Sequence, residues 1–216
     1  MPSEDQLREE IAATARLLGE KGLNRAAAGN VSARFGERVL ITPSGVPHDE
    51  LTAADIVRMD MDGGHEGPLP PSSEWRMHRD IYAAKREAGA VIHTHSDHAT
   101  ALACLGEPLP AFHYMVAVAG GAAVECAPYA TFGSEDLSRH MLRALGDRKA
   151  ALLAHHGLIC HGRDLKEALG IAEEIEGLAR VYLLARAAGQ PTILSDDEMA
   201  RVAAKFATYG RRRDDG

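Results

Sequence analysis

The sequence predicts a single α/β domain with helices on both faces of a sheet. Three observations lead there. Capped, helix-periodic stretches alternate with short apolar runs along the whole chain. No glycine- or proline-rich linker and no internal repeat divides them. The composition is that of a soluble globular domain, with 45% hydrophobic and 25% charged residues. A chain of 216 residues buries roughly 70% of its unfolded surface, so its core needs neither disulfide nor metal to hold it.

The elements follow in order. Ser3-x-x-Gln6 is a capping box, and the helix it starts is expected to run to Gly22. Ala28-Gly29-Asn30-Val31-Ser32 and Thr42-Pro43-Ser44-Gly45 are polar turns flanking a strand over 38–42. Pro71-Ser72-Ser73-Glu74 opens a helix expected to end near Gly89, with Trp75, Met77 and Ile81 as packing residues. A strand follows over 90–95. Ser134 starts the next helix, closing near Gly146. Runs 150–154 and 158–160 are strands around a tight His155-His156-Gly157 turn. Asp164-x-x-Glu167 caps a long helix to Gly189, and Ser195-x-x-Glu198 caps a last one. The domain is expected to span 1–210, with 211–216 a charged, solvated tail.

Charge and composition exclude several functions. The formal net charge is −7, and acidic chains with scattered Lys and Arg bind nucleic acid poorly. The longest apolar run, Met115 to Val124, has ten residues, too few to span a bilayer. The acidic N-terminus is not expected to be a signal peptide. Three widely spaced cysteines point to a reducing, cytoplasmic setting and show no metal-ligand spacing.

The histidines carry more information. Eight of the eleven lie between His93 and His161, more than twice the share that uniform scatter gives. Within them His93-Thr94-His95 ends an apolar strand, so both imidazoles face one side, near enough to share an ion. A pair of ordinary strand-end histidines has the same pattern. His155 or His156 is the best source of a third ligand. Three histidines around a divalent ion leave a coordination position open and the ion's charge uncompensated, which favours an anionic intermediate.

Glu74, in the first turn of its helix, serves either as a capping carboxylate or, beside a metal, as a base acting on carbon. Its reference pKa near 4.3 makes it a weak base, so the metal must acidify the substrate. The polar turns around Asn30, Ser44, Gly45, Ser72 and Ser73 offer hydroxyls, an amide and free N–H groups, which suit a phosphate if they converge. His48, His65, His78 and His140 are expected on the surface or on helix faces. His98, His113 and His161 are either neighbours of the site or unconnected with it. Tyr114 and Tyr209 have the pattern of buried aromatics with a bonded hydroxyl.

Six stretches also resemble one family. They are Ala28 to Arg34, Ile41 to Gly45, Pro71 to Glu74, Val91 to His95, Phe112 to Met115, and His156-Gly157, in family order. The chain resembles the class II aldolase/adducin-domain family, in its L-fuculose-1-phosphate aldolase branch. That resemblance implies a three-layer α/β/α domain with a mixed, largely antiparallel sheet. It implies one Zn²⁺ per subunit, or Mn²⁺ or Co²⁺, held by His93, His95 and His156. Glu74 matches the acid/base glutamate, and Asn30, Ser44, Gly45, Ser72 and Ser73 match a phosphate cradle. Tyr114 matches a tyrosine offered by a neighbouring subunit to protonate the aldehyde-derived oxygen, and Tyr209 a C-terminal tyrosine near the site. A homotetramer with sites between subunits is implied. The family usually carries Asn where this chain has His155.

The implied activity is reversible cleavage of a ketose 1-phosphate to dihydroxyacetone phosphate and an aldehyde through a metal-stabilised enediolate. The substrate is expected to be like fuculose 1-phosphate or a deoxy or methylthio pentulose phosphate. An epimerase, dehydratase or decarboxylase on the same scaffold is the alternative, and a non-catalytic adducin-like interaction domain is another. Glu74 favours the aldolase, and the intact histidines argue against the interaction domain.

Overall fold

The computed structural model describes residues 2–206. Eight strands form one sheet: β1 (Asn30–Phe35), β2 (Arg38–Ile41), β3 (Val57–Met59), β4 (His65–Glu66), β5 (Ala90–Thr94), β6 (Cys126–Ala127), β7 (Ala150–Leu153) and β8 (Gly157–Gly162). Their order is β4-β3-β2-β1-β5-β8-β7-β6. Every neighbouring pair is antiparallel except β6 with β7. The sheet is therefore mixed and largely antiparallel, as the family resemblance implies.

Two hydrophobic layers cover it. On one face α1 (Glu4–Glu20), α3 (Asp97–Cys104), α5 (Leu165–Ala188) and α6 (Asp196–Phe206) bury Ile11, Leu102, Ile175 and Met199 with Ile92 and Cys160 of the sheet. On the other, α2 (Trp75–Ala84) and α4 (Glu135–Leu145) bury Met77, Ile81 and Met141 with Val91 and Ile159. Successive strand residues point to opposite faces. Ile92 thus enters the first layer, and Val91 and His93 turn toward α2 and α4. This alternation is what aims His93 of β5 at the start of α2.

Local sequence accounts for most boundaries. The Ser3 hydroxyl accepts from Gln6 N (3.2 Å) while Ser3 N donates to Gln6 Oε1 (2.9 Å), completing the capping box. Ser134, Asp164 and Ser195 side chains each accept from the backbone N–H three residues on, as their spacing predicts. The end of α2 differs from expectation: the helix stops at Ala84, not near Gly89. Arg34, from β1, donates to the carbonyls of Tyr82 (2.7 Å), Lys85 (3.2 Å) and Ala88 (3.1 Å), so the helix end is capped from a distance. Gly89 is required for another reason. A Cβ there would lie 2.0 Å from the Arg163 carbonyl oxygen. The turn expected over 28–32 ends at Gly29, and β1 begins at Asn30. No helix among the described residues is long and apolar enough to cross a membrane.

Candidate metal centre

The site lies where β5, the β7–β8 turn and the start of α2 meet. β5 ends at Thr94, and His95 is held just beyond it because its N–H donates to buried Asn24 Oδ1 (2.9 Å). That places His93 Nε2 and His95 Nε2 2.9 Å apart, on the same side as the strand period requires. Gly29 makes room for the Asn24 anchor: its φ is +77°, and a Cβ there would sit 2.4 Å from Asn24 Nδ2 and 2.6 Å from the His93 carbonyl oxygen.

The third imidazole comes from the turn between β7 and β8. His155 takes the left-handed conformation (φ +56°), which turns the chain and sends His156 inward. Asn, Asp and His tolerate this region better than other non-glycine residues. Thus the backbone, more than the chemistry of the ring, accounts for Asn or His at this position. Gly157 lets the turn approach β5, since a Cβ would lie 2.2 Å from the Thr94 carbonyl oxygen. The three rings of His93, His95 and His156 meet edge to face, with centroids 4.7–4.9 Å apart.

Glu74 completes the cluster. It is the residue just before α2 rather than one inside its first turn, and it is 6% exposed. Its Oε2 lies 3.1 Å from His93 Nε2 and its Oε1 3.1 Å from His156 Nε2. One ligand atom from each of Glu74, His93, His95 and His156 falls within 4.8 Å of all the others.

The donor set fits a cation. His93 Nδ1–H donates to the Leu158 carbonyl (2.8 Å), so in the neutral ring the Nε2 lone pair points into the cluster. Glu74 Oε1 is buried, with His156 Nε2 3.1 Å away but no well-aligned donor among the described residues. Lone pairs converging in a buried space repel unless a proton or a metal ion sits among them. In the metal-free protein the electrostatics have the same sign. Burial pushes the Glu74 carboxyl upward, but His93 and then His156 outweigh it and hold Glu74 well below the usual carboxylate range. Burial pushes His93 down, while Glu74 more than compensates and raises it. His95 is depressed to about 3 by burial and by the charges of His93 and His156.

A cleft of about 370 Å³ opens from this cluster, and Asn30, Ser44, Gly45, Ser72 and Ser73 all line it with Glu74, His95 and His156. An antiparallel bridge between Pro43 and Pro71 clamps the two turns side by side. The N–H groups of Ser44 and Ser72 are engaged in that bridge, donating to Pro70 O and Thr42 O (3.0 Å each). Glu74 N donates to Ser72 Oγ (3.3 Å). The N–H groups of Ser44 and Ser72 are therefore not free to receive a phosphate. The Asn30 amide is also engaged, Nδ2 donating to Glu74 Oε2 (3.1 Å). Tyr129, Phe132 and His155 also line the cleft; Tyr129 and Phe132 are well exposed and had no signal in the sequence.

Tyr114 does not join this cleft within one chain. It begins a 3-10 helix over 114–119, is 49% exposed, and stacks on His113 (centroids 4.8 Å) in an apolar groove with Phe206. It is not a buried aromatic. Tyr209 and the tail 211–216 lie outside the described residues. Two of the histidines expected on the surface or on helix faces are buried. His48 lies beneath the 26–30 turn, and His78 is fully enclosed. His98 pairs with Glu176 (2.6 Å) across α3 and α5, and His161 bonds to the Arg148 carbonyl (3.3 Å), so neither reaches the cluster.

The chain is similar to known proteins in sequence and in fold. Residues 9–183 match the family described as Class II Aldolase and Adducin N-terminal domain. A Rhodospirillum rubrum protein named 5-methylthioribulose-1-phosphate/5-deoxyribulose-1-phosphate aldolase is 52% identical over 204 residues, 94% of this chain and 92% of that one. An L-fuculose phosphate aldolase of Escherichia coli O6:H1 is 48% identical over 209 residues, 96% and 97% of the two chains. A solved structure described as L-fuculose 1-phosphate aldolase superposes with a TM-score of 0.92 at 41% identity, covering 96% of this chain and 98% of its own.

Proposed function

The chain belongs to the class II aldolase and adducin family, and on that premise we propose a role for each part of its site. The protein is a metal-dependent lyase that cleaves a ketose 1-phosphate reversibly to dihydroxyacetone phosphate and an aldehyde. One observation carries the reading: three imidazoles and a buried carboxylate converge at the head of a cleft whose walls are paired serine-bearing turns.

His93, His95 and His156 hold the ion, with Glu74 as a fourth ligand at rest. Zn²⁺ suits three imidazoles and a carboxylate, and Mn²⁺ or Co²⁺ are alternatives that imidazole also accepts. Bound there, one ion per subunit would supply Lewis acidity and stabilise negative charge developing on the substrate. Asn30, Ser44, Gly45, Ser72 and Ser73 receive the phosphate, which fixes the distance from phosphate to reacting carbon. In cleavage the C3–C4 bond breaks, the C4 hydroxyl gives up its proton as the aldehyde forms, and C3 gains a proton. Glu74 delivers that proton, and in condensation it removes it. The exposed Tyr114 fits a group supplied to a neighbouring subunit's cleft, where it protonates the aldehyde-derived oxygen. A homotetramer in the cytoplasm, with one domain over 1–210 and a charged tail, completes the reading.

The substrates to try are those in the relatives' names: 5-deoxyribulose, 5-methylthioribulose and fuculose 1-phosphates. Product analysis on this panel tests the proposal. Dihydroxyacetone phosphate and aldehyde in a one-to-one ratio from at least one substrate are expected. An isomeric sugar phosphate, a dehydrated product or carbon dioxide in their place would overturn it in favour of another reaction on this scaffold.

A further inference from the structure

His78, the histidine of α2, is fully buried and is not one of the four metal-capable side chains, and the mechanism above does not use it. It lies on the sheet-facing side, one turn beyond Glu74 and one turn before Tyr82. Its Nε2 contacts Asn30 Oδ1 and its Nδ1 lies 2.7 Å from Ser32 Oγ. Ser32 Oγ in turn lies 2.8 Å from the Tyr82 hydroxyl. Asn30 Nδ2 closes the series on Glu74 Oε2 at 3.1 Å. Five buried side chains thus form one uninterrupted line of hydrogen bonds that ends on the carboxylate.

The direction of every bond in that line is forced. The ionised Glu74 carboxylate only accepts, so the Asn30 amide must turn its NH₂ toward it. Asn30 Oδ1 then faces His78 and only accepts, so His78 carries its proton on Nε2. Its Nδ1 is left as an acceptor, which the Ser32 hydroxyl supplies, and Ser32 is supplied by Tyr82. Turning the Asn30 amide over would set its carbonyl against the carboxylate, a repulsive contact that is expensive in a buried space. Glu74 thus sets the orientation of Asn30, and His78, donating from Nε2 to Asn30 Oδ1, holds the amide in it.

We propose that His78 is a positioning residue that acts through Asn30. Its Nε2–H steadies the Asn30 amide in the orientation that presents Nδ2 to Glu74 Oε2. This holds the carboxylate with one oxygen toward His93 and the other toward His156. Groups behind a ligand orient it, and their removal commonly costs about 10- to 100-fold in metal affinity or activity. The inference rests on Glu74 being the proton-transfer group and ligand proposed above.

The test uses paired substitutions in the full-length protein. Asparagine places an amide near the Nδ1 position and keeps the Ser32 bond, but falls short of Asn30. Glutamine extends an amide N–H to the Nε2 position. His78→Asn is expected to lower kcat by about 10-fold or more, and to weaken Zn²⁺ or Co²⁺ binding in chelator competition by a similar factor. His78→Gln is expected to restore both to within about threefold of the parent. In an Asn30→Ala background, His78→Asn should have no further effect on metal affinity.

Equal losses in the Asn and Gln variants, or additive effects in the Asn30→Ala background, would overturn the proposal and leave His78 as packing only. A Glu74→Gln control separates the two readings. If that variant keeps full activity, Glu74 is not the proton-transfer group, and the metal-affinity cycle alone still decides for or against His78.

Discussion

Gly157→Ala offers a direct perturbation of the metal centre, because it replaces no ligand and changes mainly how closely two strands approach. A Cβ at 157 would stand 2.2 Å from the Thr94 carbonyl oxygen and 3.4 Å from His95 Cδ2. Ordinary Cβ contacts begin near 3.4 Å, so β8 and β5 must part locally by about 1.2 Å. That gap opens beside His156 on one strand and His93 and His95 on the other, whose rings now lie within 4.9 Å of one another. Overpacking of this kind costs about 1–3 kcal/mol of stability. A displacement of about 1 Å in a reacting constellation can cost on the order of 100-fold in rate. The assay is metal per chain after dialysis, turnover, and thermal unfolding by circular dichroism. The variant should fold with a lowered Tm, lose metal, and turn over about 100-fold more slowly. Gly170→Ala, on α5 where a Cβ meets nothing within 4 Å, should keep metal and turnover. Full metal content and turnover within about twofold of the parent in Gly157→Ala would refute the reasoning.

Three further outcomes follow from the same geometry. Glu74→Gln should lower turnover by about 100-fold or more while the three imidazoles retain metal; near-parent turnover would remove Glu74 from proton transfer. His155→Val should cost about 1–2 kcal/mol in urea unfolding, because a β-branched residue resists φ +56°, whereas His155→Asn should be near neutral; equal stabilities would contradict the backbone account of this position. In the metal-free protein the buried His78 takes up no proton until pH falls to about 3, although the unfolded chain takes one near 6.5. The unfolded state therefore binds more protons below 6.5, and stability falls as pH falls, by at most about 1.4 kcal/mol per pH unit for this group. His95 behaves in the same direction. His78→Leu should flatten the decline between pH 6 and 4.5, and an unchanged slope in unfolding titrations would contradict the assignment.

The parts of this structure that local chemistry controls were legible in the sequence. Ser3, Ser134, Asp164 and Ser195 cap helices through atoms only three residues away, and the period of a strand puts His93 and His95 on one side. The resemblance supplied the choice of His156, and the turn geometry supplies its cause in the left-handed His155 beside it. What stayed hidden depends on distant partners. The early end of α2 is set by Arg34, about fifty residues back, and Gly89 is set by the Arg163 backbone. His78 has the pattern of a helix-face histidine. Its burial is intelligible only once β1 brings Ser32 and Asn30 beneath it. Asn30 likewise has a turn-like neighbourhood, yet starts a strand and gives its amide to Glu74. Tyr114 stands exposed in an apolar groove, and a partner chain is what its expected role requires.

The central claim is that Glu74, His93, His95 and His156 form a metal centre on which ketose 1-phosphate cleavage depends. Stripping the purified protein with chelator and titrating Zn²⁺, Mn²⁺ or Co²⁺ back, with dihydroxyacetone phosphate release followed at each step, tests it most directly. The account predicts no release without metal and a rise that saturates at about one ion per chain, with His95→Ala losing both binding and release. Release that survives complete removal of metal, or a His95→Ala variant that binds and cleaves like the parent, would contradict it.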